Sequence, residues 1–297
     1  MKTLISTANM PREEWLQWRK KGIGGSDAAT VVGLNPYSSL LSLYAEKLGL
    51  LPEKEDTEQM RQGRDLEQYV AERFMEATGK KVKRLNAMLV HPENDFMIVN
   101  LDRVVVGENV PLECKTTSVY NKSDFENGEI PPYYYVQVQH ECAVYGAPYG
   151  YLAVLVLNKG FFWYRIDADP NEQAALISAE RKFWYENVMA QVPPDPDGSE
   201  SAREAVQALC SPKDEPTGEA LLHDMDKDIA RLLALQEQIK PIQTEVDAIK
   251  QKIALAIGEN AYGMSNVAKV SYLTQYRKEH MVKASVSRVL RVTALKG

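Results

Sequence analysis

The stretch that most constrains this chain is residues 100–117, NLDRVVVGENVPLECKTT. Two apolar, β-branched runs flank a Gly-Glu-Asn turn, which predicts a β-hairpin. Side chains alternate along a strand, so Glu113 and Lys115 share one face while Leu112 and Cys114 share the other. The apolar pair then faces a core and the charged pair points into a site. An acid and a lysine are costly to bury unless something pairs with them. Register decides whether Asp102 joins them. A Gly107-Glu108 loop sets Asp102 opposite Glu113; a Glu108-Asn109 loop sets it opposite Lys115. Either loop gathers all three on one face, whereas a three-residue loop splits them unless a bulge intervenes. Two carboxylates on one face are oxygen ligands suited to Mg²⁺ or Mn²⁺, and a neighbouring lysine suits a phosphate. The competing reading is an exposed strand face with Glu113 and Lys115 as an ordinary salt bridge.

The rest of the chain supplies context. Pro11 and two acids open a helix that carries Trp15, Leu16 and Trp18 and ends on Arg19, Lys20 and Lys21. Gly24-Gly25-Ser26-Asp27 then reads as a tight turn and N-cap, with free N–H groups, a hydroxyl and a nearby arginine. Residues 38–49 predict a core helix. Residues 52–60 read as a charged connection before a helix opening at Gly63 and running to Gly79. On it Leu66, Val70 and Phe74 face inward and Glu67 lies on the adjacent stripe. Strands are expected over 86–91, 95–106 and 110–117. A helix from Pro131 places Gln137 and Glu141 on one polar stripe. A strand pair over 149–157 and 160–166 and a helix over 170–191 complete a compact αβ unit.

Residues 192–216 are rich in Pro, Ser and Asp and read as a linker with a short helical piece at 202–209. Beyond it, apolar residues recur with 3-4 spacing from Leu222 to Ala256, which suggests a long helix or helical hairpin kinked or broken at Pro241. Packing within its own domain and association with a partner fit this pattern equally. Residues 262–273 and 285–295 predict two final strands. The expected division is thus a core over 1–191, a linker over 192–216 and an extension over 217–297.

Charge and cysteines narrow the function. The net charge is −6, yet from Lys269 onward seven Lys/Arg stand against one Glu, a net +6 that leaves −12 on the remainder. That is not the footprint of a general nucleic-acid binder. Cys114, Cys142 and Cys210 have no CxxC spacing, so neither a zinc site nor a disulfide framework is indicated. There is no apolar run of membrane-spanning length and no signal-peptide pattern, so a cytoplasmic location is the default expectation.

Four blocks carry a resemblance: WLQWRKKGIGGSDAA, GRDLEQYVAERF, LDRVVVG…VPLECKTT and PPYYYVQVQHECAVYG. In this order, over about residues 12–190, they resemble the YqaJ-type viral recombinases, relatives of phage lambda exonuclease in the PD-(D/E)xK nuclease superfamily. The resemblance implies a mixed central sheet flanked by helices. It also implies a Mg²⁺-dependent 5′→3′ exonuclease, with Mn²⁺ as substitute, that acts on linear double-stranded DNA and leaves 3′ overhangs. Asp102, Glu113 and the Cys114 carbonyl would bind metal, and Glu67 would serve a second metal or its water shell. Lys115 would position the attacking water, and Gln137, or Gln139 on a rotated helix, would orient the nucleophile. Arg19 and Ser26 would hold the 5′-phosphate. A single-strand annealing partner, a trimeric ring and a phage or prophage origin are implied in the same way. The alternatives are a PD-(D/E)xK endonuclease and a catalytically silent DNA-binding scaffold.

Overall fold

The computed structural model describes residues 2–52, 56–118, 125, 128–211, 218–276, 290 and 292. The chain forms two compact units, Met1–Cys210 and Ser211–Gly297. The first unit is mixed α/β and is built on two sheets.

The larger sheet has five strands, which lie side by side in sequence order. They are β2 (Val82–Lys83), β5 (Arg103–Val105), β6 (Pro111–Thr117), β7 (Tyr149–Val156) and β8 (Gly160–Asp167). β6 and β7 run parallel; every other pair is antiparallel. The parallel step is forced by α5 (Pro132–Tyr145), whose crossover carries the chain back to the start of the sheet. Leu112 and Cys114 turn into a core with Val70, Phe74, Val138 and Leu152, as the alternation along β6 requires. The smaller sheet joins β1 (Lys2–Ser6), β3 (Ala87–Val90) and β4 (Ile98–Val99).

The strand expected over 95–106 divides into β4 and β5, which belong to different sheets. Residues 100–102 form the crossing, so Asp102 sits at a bend rather than within a strand. The β5–β6 register pairs Arg103 with Leu112 and Val104 with Pro111. This is the Gly107-Glu108 register, which sets Asp102 level with Glu113. The turn closes through Val105 N–H to the Val110 carbonyl (3.0 Å) and Asn109 N–H to the Val105 carbonyl (2.9 Å). Gly107 and Asn109 take the positive φ angles that it demands, +90° and +55°.

The helices position the site. α1 (Arg12–Arg19) is followed by α2 (Gly25–Val31) and α3 (Leu40–Lys47). The N-cap of α2 is Gly24, not Ser26. The Asp27 side chain reaches back to the Gly24 N–H (2.9 Å) and leaves the Ser26 hydroxyl exposed. α4 (Glu58–Thr78) starts earlier than its apolar stripe suggested, because Thr57 caps it through the Met60 N–H at 3.2 Å. α6 (Pro170–Lys182) continues as a π-helical stretch, Phe183–Met189. α7 (Glu200–Leu209), read from the sequence as part of a linker, packs on α3. Its Ala202 and Ala205 are buried, and the Ser201 hydroxyl accepts the Ser39 N–H at 2.8 Å.

In the second unit α8 (Asp226–Ile257) runs through Pro241 as one helix of 32 residues, with neither hairpin nor break. A proline removes one i to i−4 hydrogen bond, and the turns on either side hold the helix together. β9 (Tyr262–Met264) and β10 (Lys269–Ser271) form a hairpin inside the span expected to be one strand. The Ser265 hydroxyl makes the reversal by accepting the Val267 and Ala268 N–H groups. The strand expected over 285–295 lies outside the described residues, apart from 290 and 292. Among the described residues no helix is long and apolar enough to cross a membrane.

Candidate active site

One cavity of about 850 Å³ is lined by Glu67, Asp102, Glu113, Lys115, Gln137 and Glu141, and also by Arg19 and Ser26. All the residues singled out from the sequence, except the fallback Gln139, therefore line one space.

Two side chains converge on Glu113, one from its own strand and one from α5. On β6 itself Lys115 lies two residues on, and its ammonium is 2.7 Å from Glu113 Oε1. From α5 the Gln137 amide donates to the same oxygen at 2.6 Å. The same amide nitrogen also donates to Glu141 Oε1 at 2.9 Å. Both its protons are thus committed to carboxylates, which fixes which way the amide faces. Gln139 is engaged elsewhere. Its amide donates to the Asp167 carbonyl (2.8 Å) and accepts the Asp169 N–H (3.1 Å), tying α5 to the end of β8.

Asp102 approaches from the crossing between the sheets and accepts the Cys114 N–H at 2.9 Å through Oδ2. Its pKa stands well above the usual carboxylate range. Burial is the main cause, and the negative charges of Glu113 and Glu67 add to it against the opposing pull of Lys115. The pKa of Lys115 is raised as well. Burial works to lower it, but the charges of Glu113 and Asp102 outweigh burial and hold the ammonium protonated. The Tyr134 ring stands 5.4 Å from that ammonium and adds a cation–π contact. Glu67 lies at the cavity edge, where its Oε1 is held by Arg103 and by Arg84 at 3.3 Å.

Sequence reading did not assign Glu141 to the site. It is 1% exposed, and its Oε2 has no hydrogen-bond partner among the described residues. Burial and the nearby Glu113 charge raise its pKa well above the usual range. The available signal was its i+4 spacing from Gln137, which any solvated helix face would also show. Gly25 explains why α2 lies so close: a Cβ there would stand 3.2 Å from both Gln137 Cγ and Glu141 Oε1.

At the other end of the cavity the Arg19 guanidinium donates to Ser26 Oγ (2.8 Å) and to Asp27 Oδ1 (3.2 Å). Asp27 Oδ2 also receives the buried Lys47 ammonium at 2.6 Å. Burial acts to raise the pKa of Asp27, but Lys47 and Arg19 overcome it and hold the carboxylate far below its usual range. Lys47 too was missed from the sequence. On an apolar helix face beside Leu43 and Tyr44 it resembled a surface lysine with its stem packed down.

The donor set fits a hard divalent cation. Asp102, Glu113 and Glu141 face one ammonium, so the cavity is short of positive charge, and its donors are oxygens. Glu141 Oε2, without a hydrogen-bond partner among the described residues, is an acceptor that a hydrated cation can satisfy. Among the described residues no three His, Cys, Asp or Glu side chains stand close enough to hold an ion without rearrangement.

Comparison with known proteins places this arrangement. The fold is that of the alkaline exonuclease LHK-Exo from Laribacter hongkongensis, with TM-score 0.52 and 21% identity over 61% of this chain and 94% of that one. The same protein in complex with dAMP matches equally. The central sheet and its flanking helices thus share the fold of that protein. The YqaJ-like viral recombinase domain matches residues 14–148. YqaJ of Bacillus subtilis strain 168, described as uncharacterised, is 37% identical over 263 residues, spanning 88% of this chain and 82% of that protein. The chain belongs to the YqaJ-like viral recombinase family.

Proposed function

We propose that this chain is a divalent-metal-dependent exonuclease that degrades one strand of linear duplex DNA in the 5′→3′ direction. The 3′ overhang left behind would receive a single-strand annealing protein. The observation that carries the reading is the meeting of Asp102, Glu113, Lys115 and Gln137 in one cavity with Arg19 and Ser26. LHK-Exo, of like fold, is known in complex with dAMP, and a nucleoside monophosphate is what hydrolysis of a terminal phosphodiester releases.

Asp102, Glu113 and the Cys114 carbonyl would hold Mg²⁺, or Mn²⁺ in its place, with Glu67 serving a second ion or its water shell. Such ions lower the pKa of bound water and stabilise charge on phosphate and leaving oxygens. The protein's own groups have separate work. Lys115 remains protonated beside Glu113, so it acts as a fixed cation at the scissile phosphate rather than as a base. Gln137, its amide protons held by Glu113 and Glu141, would offer its carbonyl oxygen as the acceptor for the nucleophile. Arg19 and the exposed Ser26 hydroxyl bind the 5′-phosphate and set the register of the end. Three copies closed into a ring would retain duplex DNA despite the chain's acidity. The setting is the cytoplasm of a bacterial host, with the protein of phage or prophage origin.

The test is digestion with Mg²⁺ of linear duplexes bearing 5′-phosphate or 5′-hydroxyl ends, with a closed circle alongside. Degradation of the phosphorylated duplex, slower loss of the hydroxyl form and an intact circle are expected. Lys115→Met should lower the rate about 10²–10³-fold, the scale for removing one preorganised donor at a charged transition state. A cut circle would reassign the protein to the endonucleases. No digestion with any divalent ion would return it to a silent DNA-binding scaffold.

A further inference from the structure

The nuclease reading leaves α8 without a role. From Leu232 to Ala256 the apolar residues fall at Leu232, Leu235, Ile239, Ile242, Val246, Ile249, Ile253 and Ala256. The steps alternate three and four without a fault over eight positions, which is the a/d register of a coiled coil. The structure leaves this stripe in solvent. Ile239 is 58% exposed, Ile242 61% and Ile249 48%. The flanks of the stripe are mostly polar, and Pro241 falls at a c position, away from the seam. A lone helix carrying an interior proline, at a cost of about 3 kcal/mol, gains its stability from packing of an apolar face.

We propose that α8 is the strand of a parallel, in-register coiled coil of more than two strands, formed by copies of this chain. Two observations select a second copy as the occupant. First, in this register Glu245 takes a g position and Lys250 the following e position. Parallel copies then set Glu245 of one against Lys250 of the next, and the pairing repeats around the symmetry axis. An antiparallel pairing would instead bring Glu245 towards its own counterpart. Second, the seam is β-branched at both layers from 239 to 253: Ile239, Val246 and Ile253 at a, Ile242 and Ile249 at d. Isoleucine at d packs poorly in two-stranded coils and shifts the preference to higher order. The inference rests on α8 alone and stands whether or not the first unit is a nuclease.

The experiment uses the full chain with Cys210→Ser, which leaves Cys114 and Cys142, both buried, as the native thiols. Ile249→Cys at d and Gln251→Cys at the outward f position are each treated with a short bis-maleimide. Covalent pairs are expected from Ile249→Cys and none from Gln251→Cys. Adding Glu245→Lys should reduce the yield of pairs, and adding Lys250→Glu to that variant should restore it. Native mass spectrometry of the unmodified chain should find more than two copies. Pairs no more abundant at 249 than at 251 would overturn the seam. Failure of the charge swap to restore the yield would overturn the parallel register, and a chain of one or two copies would overturn the higher-order arrangement. All of these readouts are independent of DNA hydrolysis.

Discussion

Two aspartates stand in one cavity, and their surroundings are opposite. Asp27 is met by Lys47 on one oxygen and Arg19 on the other, so one negative charge has two positive partners. Asp102 shares its end of the cavity with Glu113 and Glu141 and a single ammonium. Both carboxylates are desolvated, yet one is driven far down in pKa and the other well up. The sign follows from the charges around each, since burial acts the same way on both. Asp27 is therefore a finished structural element that holds α1, α2 and α3 together and orients Arg19. Asp102 belongs to one whose charge balance is incomplete, with three carboxylates facing one ammonium.

The largest expected effect breaks the finished side. Asp27→Asn strands the Lys47 ammonium, whose side chain is fully buried, without a counter-charge. Removing one partner of a buried pair costs about 3–5 kcal/mol, read as a lower urea midpoint with unchanged slope. The pH dependence has a definite sign. The folded pKa of Asp27 lies below its unfolded value, so its stabilisation is present above about pH 4 and fades as the pH falls further. The Asn variant should lose that part of the acid transition. A midpoint unchanged by the substitution would mean that Lys47 finds water instead.

A smaller effect sharpens the incomplete side. Glu141→Gln keeps the shape of the side chain but removes the charge that helps fix the Gln137 amide. Partners that orient a residue at a metal site are worth about 10–100-fold. The loss should fall on kcat with little change in KM for DNA, because Glu141 acts through the Gln137 amide. A loss confined to KM would show that Glu141 serves binding rather than orientation.

Much of this was legible in the sequence because it is local. Alternation along residues 112–115 separates the charged pair from the apolar pair, and the register that sets Asp102 level with Glu113 was one of two allowed by the turn. What escaped was set by tertiary contact. Nothing near residue 100 announces that the chain leaves one sheet for another, because β4 and β5 are both apolar and short. Lys47 and Glu141 look like ordinary helix-surface residues until α2 is laid against them, and glycine at 25 permits that approach without advertising its purpose. For α8 the apolar spacing allowed a long helix or a helical hairpin at Pro241, and the structure has the long helix.

The smallest effect is the most diagnostic. Asp102→Asn keeps an oxygen to accept the Cys114 N–H and removes one of the crowded negative charges. The folded pKa of Asp102 is raised, so its contribution is fully favourable only below the unfolded value near pH 4 and is lost as the pH rises through the folded pKa. In the absence of metal the Asn variant should therefore be the more stable protein. The gain in Tm should be a few degrees, the shift that about 1 kcal/mol produces in a domain of this size, and should widen from acid towards neutral pH. Addition of Mg²⁺ should reverse the order, because a ligand that binds only the folded state raises the Tm of the wild type and has lost a carboxylate in the variant. If Asp102→Asn is instead destabilising in metal-free buffer at every pH, the carboxylate is already matched by Lys115. The contrast between the finished and the incomplete aspartate would then disappear.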